Sequence, residues 1–405
     1  MHASEAETVA YLRSAQAVRE RAHYLFDLAA QGDLEHFVYH PEALAPTADY
    51  VCDLIKTHHP TLDIPLHSRL RHFSAGGRDR LAEAALDALA QRDRGLALVE
   101  LSIISVLLDA GAGDRWRYTE SQDGTVYTRS EGLAVASWQM YWGGLFSSCD
   151  TPAVDADRLA SLSQDELAQA LQVTAGNPLV GLSGRLELLR NLSSLMQAQP
   201  DVFGESGRLG LFYDYVDQLA VAGTISAGRL LTAVLDTFSE VWPARLFVAG
   251  VPLGDVWEHV ALQSFTLASG LIPFHKLSQW LSYSLIEPLA AGGIEVSDLD
   301  ALTALPEYRN GGLLIDMGVL TPRLESALGR LYQVSDALVV EWRALTVALL
   351  DKLADLIRQR LGRDRTALPL ANILEGGTWR AGRQLAFERR GGLSPVQVQS
   401  DGTVF

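Results

Sequence analysis

The chain has 405 residues, 48% of them hydrophobic and 20% charged, with 33 Lys plus Arg against 49 Asp plus Glu for a net charge of −16. That acidity argues against a broad footprint on the phosphate backbone of DNA or RNA, though a few gathered cations still suffice for one small anion. Two cysteines, Cys52 and Cys149, are too few for a disulfide framework or a cysteine metal cluster and fit a reducing, cytoplasmic setting.

The N-terminus is acidic and amphipathic, with Val9, Leu12, Ala15, Val18, Ala22, Leu25 and Leu28 at helical spacing over 4–31. It lacks a basic segment followed by an apolar one, so no signal peptide is expected, and no run of 18 apolar residues predicts a membrane span. Residues 79–111 read as two helices, the second apolar all round and therefore buried. Asp123-Gly124 predicts a hairpin within 114–130, and another helix starts at Ser130. Ser163 with Glu166 marks a helix start in 158–172. Helices are also expected over 185–198, 206–222, 225–241, 253–269, 274–291, 323–331 and 337–361, and a β-like tail over 391–405. DGTVY at 123–127 and DGTVF at 401–405 are near-copies, read as coincidence or as two strands of one small sheet. The expected fold class is mainly α with small β-hairpin elements. It forms one continuous, mostly helical unit, or two lobes: 1–150, carrying the hairpin, and 151–405, carrying the 274–320 motifs.

Eight of the ten histidines precede residue 73, yet no H-E-x-x-H, H-x-H or C-x-x-C occurs, so no metal and no cofactor are expected. Arg69 and Arg71 in HSRLRHF either hold a phosphate or carboxylate or belong to a loop paired with acids. Asp109 stands at the unfavourable end of a helix dipole and needs a cation, for which Arg117 is a candidate. Glu131 reads as a first-turn acid. Residues 374–383, LEGGTWRAGR, are Gly-rich without a phosphate-loop signature. The most informative stretch is 272–320, where Phe274-His275-Lys276-Leu277-Ser278-Gln279 and Pro306-Glu307-Tyr308-Arg309-Asn310-Gly311-Gly312 interrupt apolar sequence. Polar groups in such surroundings must be paired or form a site. Glu307 is either a helix-capping carboxylate or a fixed anion able to stabilise positive charge at a sugar C1.

The strings HSRLRHF, VLLDAGAG, RSEGLAVAS, NPLVGLSGR, GDVW, IPFHKLSQWLSYSLIEP, LPEYRNGGLLID, VEWRALTVALLD and LEGGTWRAGR carry a resemblance that runs nearly end to end. They resemble the uracil-catabolism (Urc/Urg-type) family of bacteria and fungi. That resemblance implies a pathway opening uracil by way of its nucleotide, with a cyclohydrolase-like enzyme nearby and a ribosylurea intermediate. A second, local resemblance covers about 50 residues. FHKLSQ and EYRNGGLLIDMGVL look like the F-Y-K-x-A-Q and D-Y-R-V-P-Q motifs of the queuosine-phosphate nucleosidase family, whose helical fold is similar to helix-hairpin-helix DNA glycosylases. Phe274, Lys276 and Gln279 fall on the first motif, and Glu307, Tyr308 and Arg309 on the second. Glu307 replaces that family's Asp, Gly311-Gly312 its Pro-Gln, and its second acid falls near Ser284.

Together these resemblances imply an N-glycosidase that hydrolyses the C1–N bond of a ribosylurea, as its 5′-phosphate, to urea and ribose phosphate. In that reading Glu307 acts at C1 or on water, and Arg309 holds Glu307. Lys276, with Arg69 or Arg71, takes the phosphate, and Gln279, Asn310 and His275 bind the remainder. Tyr308 is wall. The expected partner is this small molecule, with no nucleic acid and no membrane. The rival is a non-catalytic scaffold for a pathway enzyme.

Overall fold

The structure, a computed structural model, describes residues 4–84, 86–109, 111–242 and 245–399. It is mainly α, with two-stranded sheets only among the described residues. No described helix is long and apolar enough to cross a membrane. The described chain divides into two compact units. The first takes the chain up to His67, the segment ending at Gln279, and everything from Asp298 on; the second takes Ser68 to 242 and Trp280–Ser297.

The first unit is built on the helix Ala337–Leu361. Its apolar residues leave almost no polar face in the first half, so it is buried there and packs against Ala15–Gln31 and Leu44–His58. Gly362, at φ 62°, closes it in the left-handed conformation that glycine adopts without steric penalty. The expected helix over 4–31 breaks at Ser14, whose side chain caps the second segment by accepting from the Ala17 amide. Two short helices, Tyr308–Asp316 and Trp379–Arg390, pack against one another. Their approach depends on a missing side chain. A Cβ on Gly382 would collide with the Arg309 carbonyl oxygen, and one on Gly311 would lie 2.6 Å from the ring of Trp342 in the Ala337–Leu361 helix, which packs on the same short helix. Because the obstacle at Gly382 is backbone, Gly382→Ala should lower stability by roughly 1–3 kcal/mol, read as a drop in Tm. An unchanged Tm would mean the helix pair has slack.

Two expected helices are absent. Residues 253–269 instead hold the strand Val256–Glu258, paired antiparallel with Leu271–Pro273 around a 3₁₀ turn. Residues 323–331 hold a single 3₁₀ turn, Glu325–Ala327, before Leu331–Tyr332 pairs in parallel with Gln397–Val398. The DGTVF copy lies outside the described residues.

The second unit centres on Gln91–Leu107, buried from Gly95 onward. Glu100, buried within this helix, accepts from Tyr141 Oη at 2.9 Å, Arg208 Nε at 3.0 Å and the Gly210 amide at 3.0 Å. The predicted hairpin forms between Tyr118–Thr119 and Val126–Tyr127. The next helix, Arg129–Trp142, begins one residue before the expected Ser130. Residues 206–222 yield a shorter helix, Phe212–Leu219. Ser163 and Glu166 form the expected capping box.

Candidate active site

In the first unit, Gln279 of the first polar cluster binds Thr303, just ahead of the second cluster. Gln279 is fully buried in the first turn of the Lys276–Gly292 helix. Its amide nitrogen donates to Thr303 Oγ1 at 2.7 Å and to the Phe274 carbonyl at 3.0 Å, and its oxygen accepts from the Thr303 amide at 2.7 Å. Two residues further on, the Leu305 carbonyl accepts from Asn310 Nδ2 at 3.2 Å. Glu307 follows as the N-cap of Tyr308–Asp316. Its Oε1 accepts from the Asn310 amide at 2.6 Å and its Oε2 from the Arg309 amide at 2.9 Å. The residue is only 8% exposed. Amide donors and the helix N-terminus both favour negative charge at this point.

Arg309 holds Glu307 through its main chain rather than its charge. Its guanidinium lies 4.3 Å from the Trp379 ring centroid and 5.2 Å from that of Tyr308, a cation–π stack at the partly exposed end of the helix. Lys276 and Tyr308 are also partly exposed. Gln279 and His275, expected to contact substrate, have their polar groups spent inside the protein. His275 is buried at φ 49°, with Nε2 donating to the Leu12 carbonyl at 2.7 Å. Burial lowers the pKa of its imidazole, against the opposing effect of that carbonyl. Asn310 is fully buried as well, and its Oδ1 has no hydrogen-bond partner.

The first turn of the Lys276–Gly292 helix is held by a residue outside both clusters. Asp255 accepts from the Lys276 amide at 2.9 Å, from Trp257 Nε1 at 2.6 Å, and from both terminal nitrogens of Arg343 at 2.8 Å. Arg343 is buried and stacks on Phe274 at 4.2 Å. Burial alone would raise the Asp255 pKa, but the Arg343 charge and these hydrogen bonds outweigh it and bring it down to about 2. The strings GDVW, IPFHKLSQ and VEWRALTV thus meet at one buried node.

A second polar pair stands beside Trp379. His67 Nδ1 donates to Glu375 Oε2 at 2.7 Å, with the two side chains 5% and 16% exposed. The His67 ring lies 5.8 Å from the Trp379 ring. Glu375 belongs to a π-helical turn, Leu374–Thr378, leading into the Trp379–Arg390 helix. Sequence reasoning missed this pair because it read HSRLRHF for its arginines and LEGGTWRAGR for its glycines. A pairing across 308 positions leaves no local trace.

Arg69 and Arg71 belong to the second unit, where both are paired with acids. Arg69 is fully buried, bonded to Asp109 at 2.9 Å, Ser105 at 2.7 Å and Ser130 at 2.9 Å. Burial lowers its pKa, opposed by Asp109 and Glu131. Arg71 pairs with Glu287 at 2.5 Å. The cation that Asp109 requires is therefore Arg69; Arg117 donates instead to the carbonyls of Asp114 and Trp116.

The model of a family described as "Protein of unknown function (DUF1688)" matches residues 11–405. "Uracil catabolism protein 4" of Lachancea kluyveri is 36% identical over 442 aligned residues, covering 98% of this chain and 99% of that protein. "Protein urg3" of Schizosaccharomyces pombe (strain 972 / ATCC 24843) is 38% identical over 423, with the same coverage.

Proposed function

The chain belongs to the DUF1688 family, and from its similarity to a uracil catabolism protein we propose that it acts in uracil catabolism as an N-glycosidase. It hydrolyses the C1–N bond of a ribosylurea, in its 5′-phosphate form, to urea and ribose phosphate. The observation that carries this reading is the Glu307 carboxylate, fixed by two main-chain amides at a helix N-terminus. Each oxygen spends one lone pair on an amide and keeps another for substrate or water. A preorganised negative charge of this kind stabilises an oxocarbenium-like transition state without reorganising as charge develops at C1.

The remaining roles follow from access. Tyr308 and Trp379 supply aromatic walls, and Arg309, stacked on Trp379, offers donors to an anionic group. Lys276 adds a second cation for the phosphate. Gln279 and Asp255 position the two helix starts that carry Lys276 and Glu307. The test is direct incubation of purified protein with ribosylurea and with its 5′-phosphate. Urea and free sugar should appear in equal amounts, and Lys276→Ala should raise KM for the phosphorylated form far more than for the bare nucleoside. Release of urea from neither compound would defeat the proposal, and equal effects of Lys276→Ala on both would remove Lys276 from the phosphate.

A further inference from the structure

A cleft of about 470 Å³ opens in the first unit, the size of a small-molecule site. It lies between the strand Val256–Glu258 and the residues that follow two paired strands, Leu331–Tyr332 and Gln397–Val398. None of the residues given a role at Glu307 lines it.

The floor of the cleft is apolar and closed, with Val334 6% and Trp257 7% exposed. Trp257 is pinned by the bond from its Nε1 to Asp255 at 2.6 Å, and the Arg245 guanidinium carbon lies 5.4 Å from its ring centroid. A ligand arriving on this floor has no side chain to immobilise there, which removes one entropic cost of binding. The rim is polar and exposed. Gln333 Nε2 donates to Gln399 Oε1 at 2.8 Å. Main-chain bonds hold both residues in place: the Gln333 amide donates to Asp336 Oδ2 at 2.9 Å, and the Gln399 amide to the Tyr332 carbonyl at 2.8 Å. One bond between two carboxamides uses the nitrogen of one and the oxygen of the other. Whichever way the two groups are turned, the pair keeps one carbonyl and one NH₂ that it does not spend on itself. An acceptor beside a donor is the complement of a cis-amide edge, N–H next to C=O, as a planar pyrimidinedione ring presents it. Glu258 lines the same cleft with a carboxylate that has no ion-pair or hydrogen-bond partner among the described residues. A carboxylate in that position accepts from the hydroxyls of a ribose and repels a phosphate.

We propose that this cleft is a second binding site, for a neutral nucleoside whose planar base carries a cis-amide edge. The base lies on the Val334–Trp257 floor with its amide edge on the Gln333–Gln399 pair, and the ribose hydroxyls bind Glu258. The site is separate from Glu307 and does not depend on the reaction proposed there.

The test is calorimetric titration of the full chain with uridine, 3-methyluridine and uridine 5′-monophosphate. Uridine should bind one to one, and with the same affinity in Glu307→Gln. Removing the N–H with 3-methyluridine, or the amide with Gln333→Ala, should each weaken binding by about 3–10-fold, the scale of one net hydrogen bond. Gln333 is exposed, so its truncation leaves the core untouched. The monophosphate should bind more weakly than uridine, and Glu258→Gln should narrow that difference. No heat with uridine up to millimolar concentration would overturn the proposal. So would equal binding of uridine and 3-methyluridine, or an affinity unchanged in Gln333→Ala. Loss of uridine binding in Glu307→Gln would place the nucleoside at the other site and overturn it as well.

Discussion

Glu307→Gln should give a folded protein that has lost at least about 10²–10³-fold in kcat. The substitution keeps the size of the side chain and deletes its charge. The glutamine oxygen still accepts one of the two amides, from Asn310 or from Arg309, while its NH₂ group faces the other donor. One capping bond is therefore lost, worth roughly 0.5–2 kcal/mol of stability, which is small against the expected catalytic defect. Steady-state kinetics beside thermal unfolding separates the two effects. A variant with a slightly lower Tm and near-normal kcat would leave Glu307 as a helix cap and nothing more.

Asp255→Asn should destabilise the protein by roughly 3–5 kcal/mol, the scale for removing one partner of a buried ion pair. Arg343 is 1% exposed and would lose the carboxylate that its two terminal nitrogens bind, while the Lys276 amide and Trp257 Nε1, which donate to different oxygens of Asp255, would have one neutral acceptor between them. The pH dependence has a definite sign. The Asp255 carboxyl is depressed from 3.8 to about 2 in the folded protein. Its stabilising contribution is therefore complete above the unfolded value and is lost as pH falls through about 2. The gap between wild type and Asp255→Asn, measured by denaturant unfolding, should be largest at neutral pH and narrow below about pH 4. A gap that stays constant down to pH 2, or one under about 0.5 kcal/mol at neutral pH, would contradict the account of this node.

What the sequence revealed and what it hid follow one physical division. Ala337–Leu361 was legible because its apolar period and the stop at Gly362 are local signals. So was the Tyr118–Tyr127 hairpin, through Asp123-Gly124. Residues 253–269 misled because the helical spacing of their apolar residues is overridden by pairing with Leu271–Pro273 and by the Asp255 carbonyl binding the Phe274 amide. The segment 323–331 was lost to a partner strand 66 positions away. At the candidate site, Glu307 and its helix start were readable from Pro306-Glu307-Tyr308-Arg309-Asn310. The commitment of Gln279 to Thr303 was not, because polar residues bound to protein and polar residues bound to ligand have the same composition. Arg69 with Asp109 and His67 with Glu375 are pairings made only by the fold.

The central claim is that water attacks C1 of the sugar. The most direct measurement is a short reaction of ribosylurea 5′-phosphate in H₂¹⁸O, quenched at once with borohydride to trap the sugar and analysed by mass spectrometry. The account predicts one ¹⁸O on C1 of the trapped ribitol phosphate, beside unlabelled urea in equal amount. Sugar without label, accompanied by ammonia in place of urea, would place the attack on the ureido carbon and contradict it.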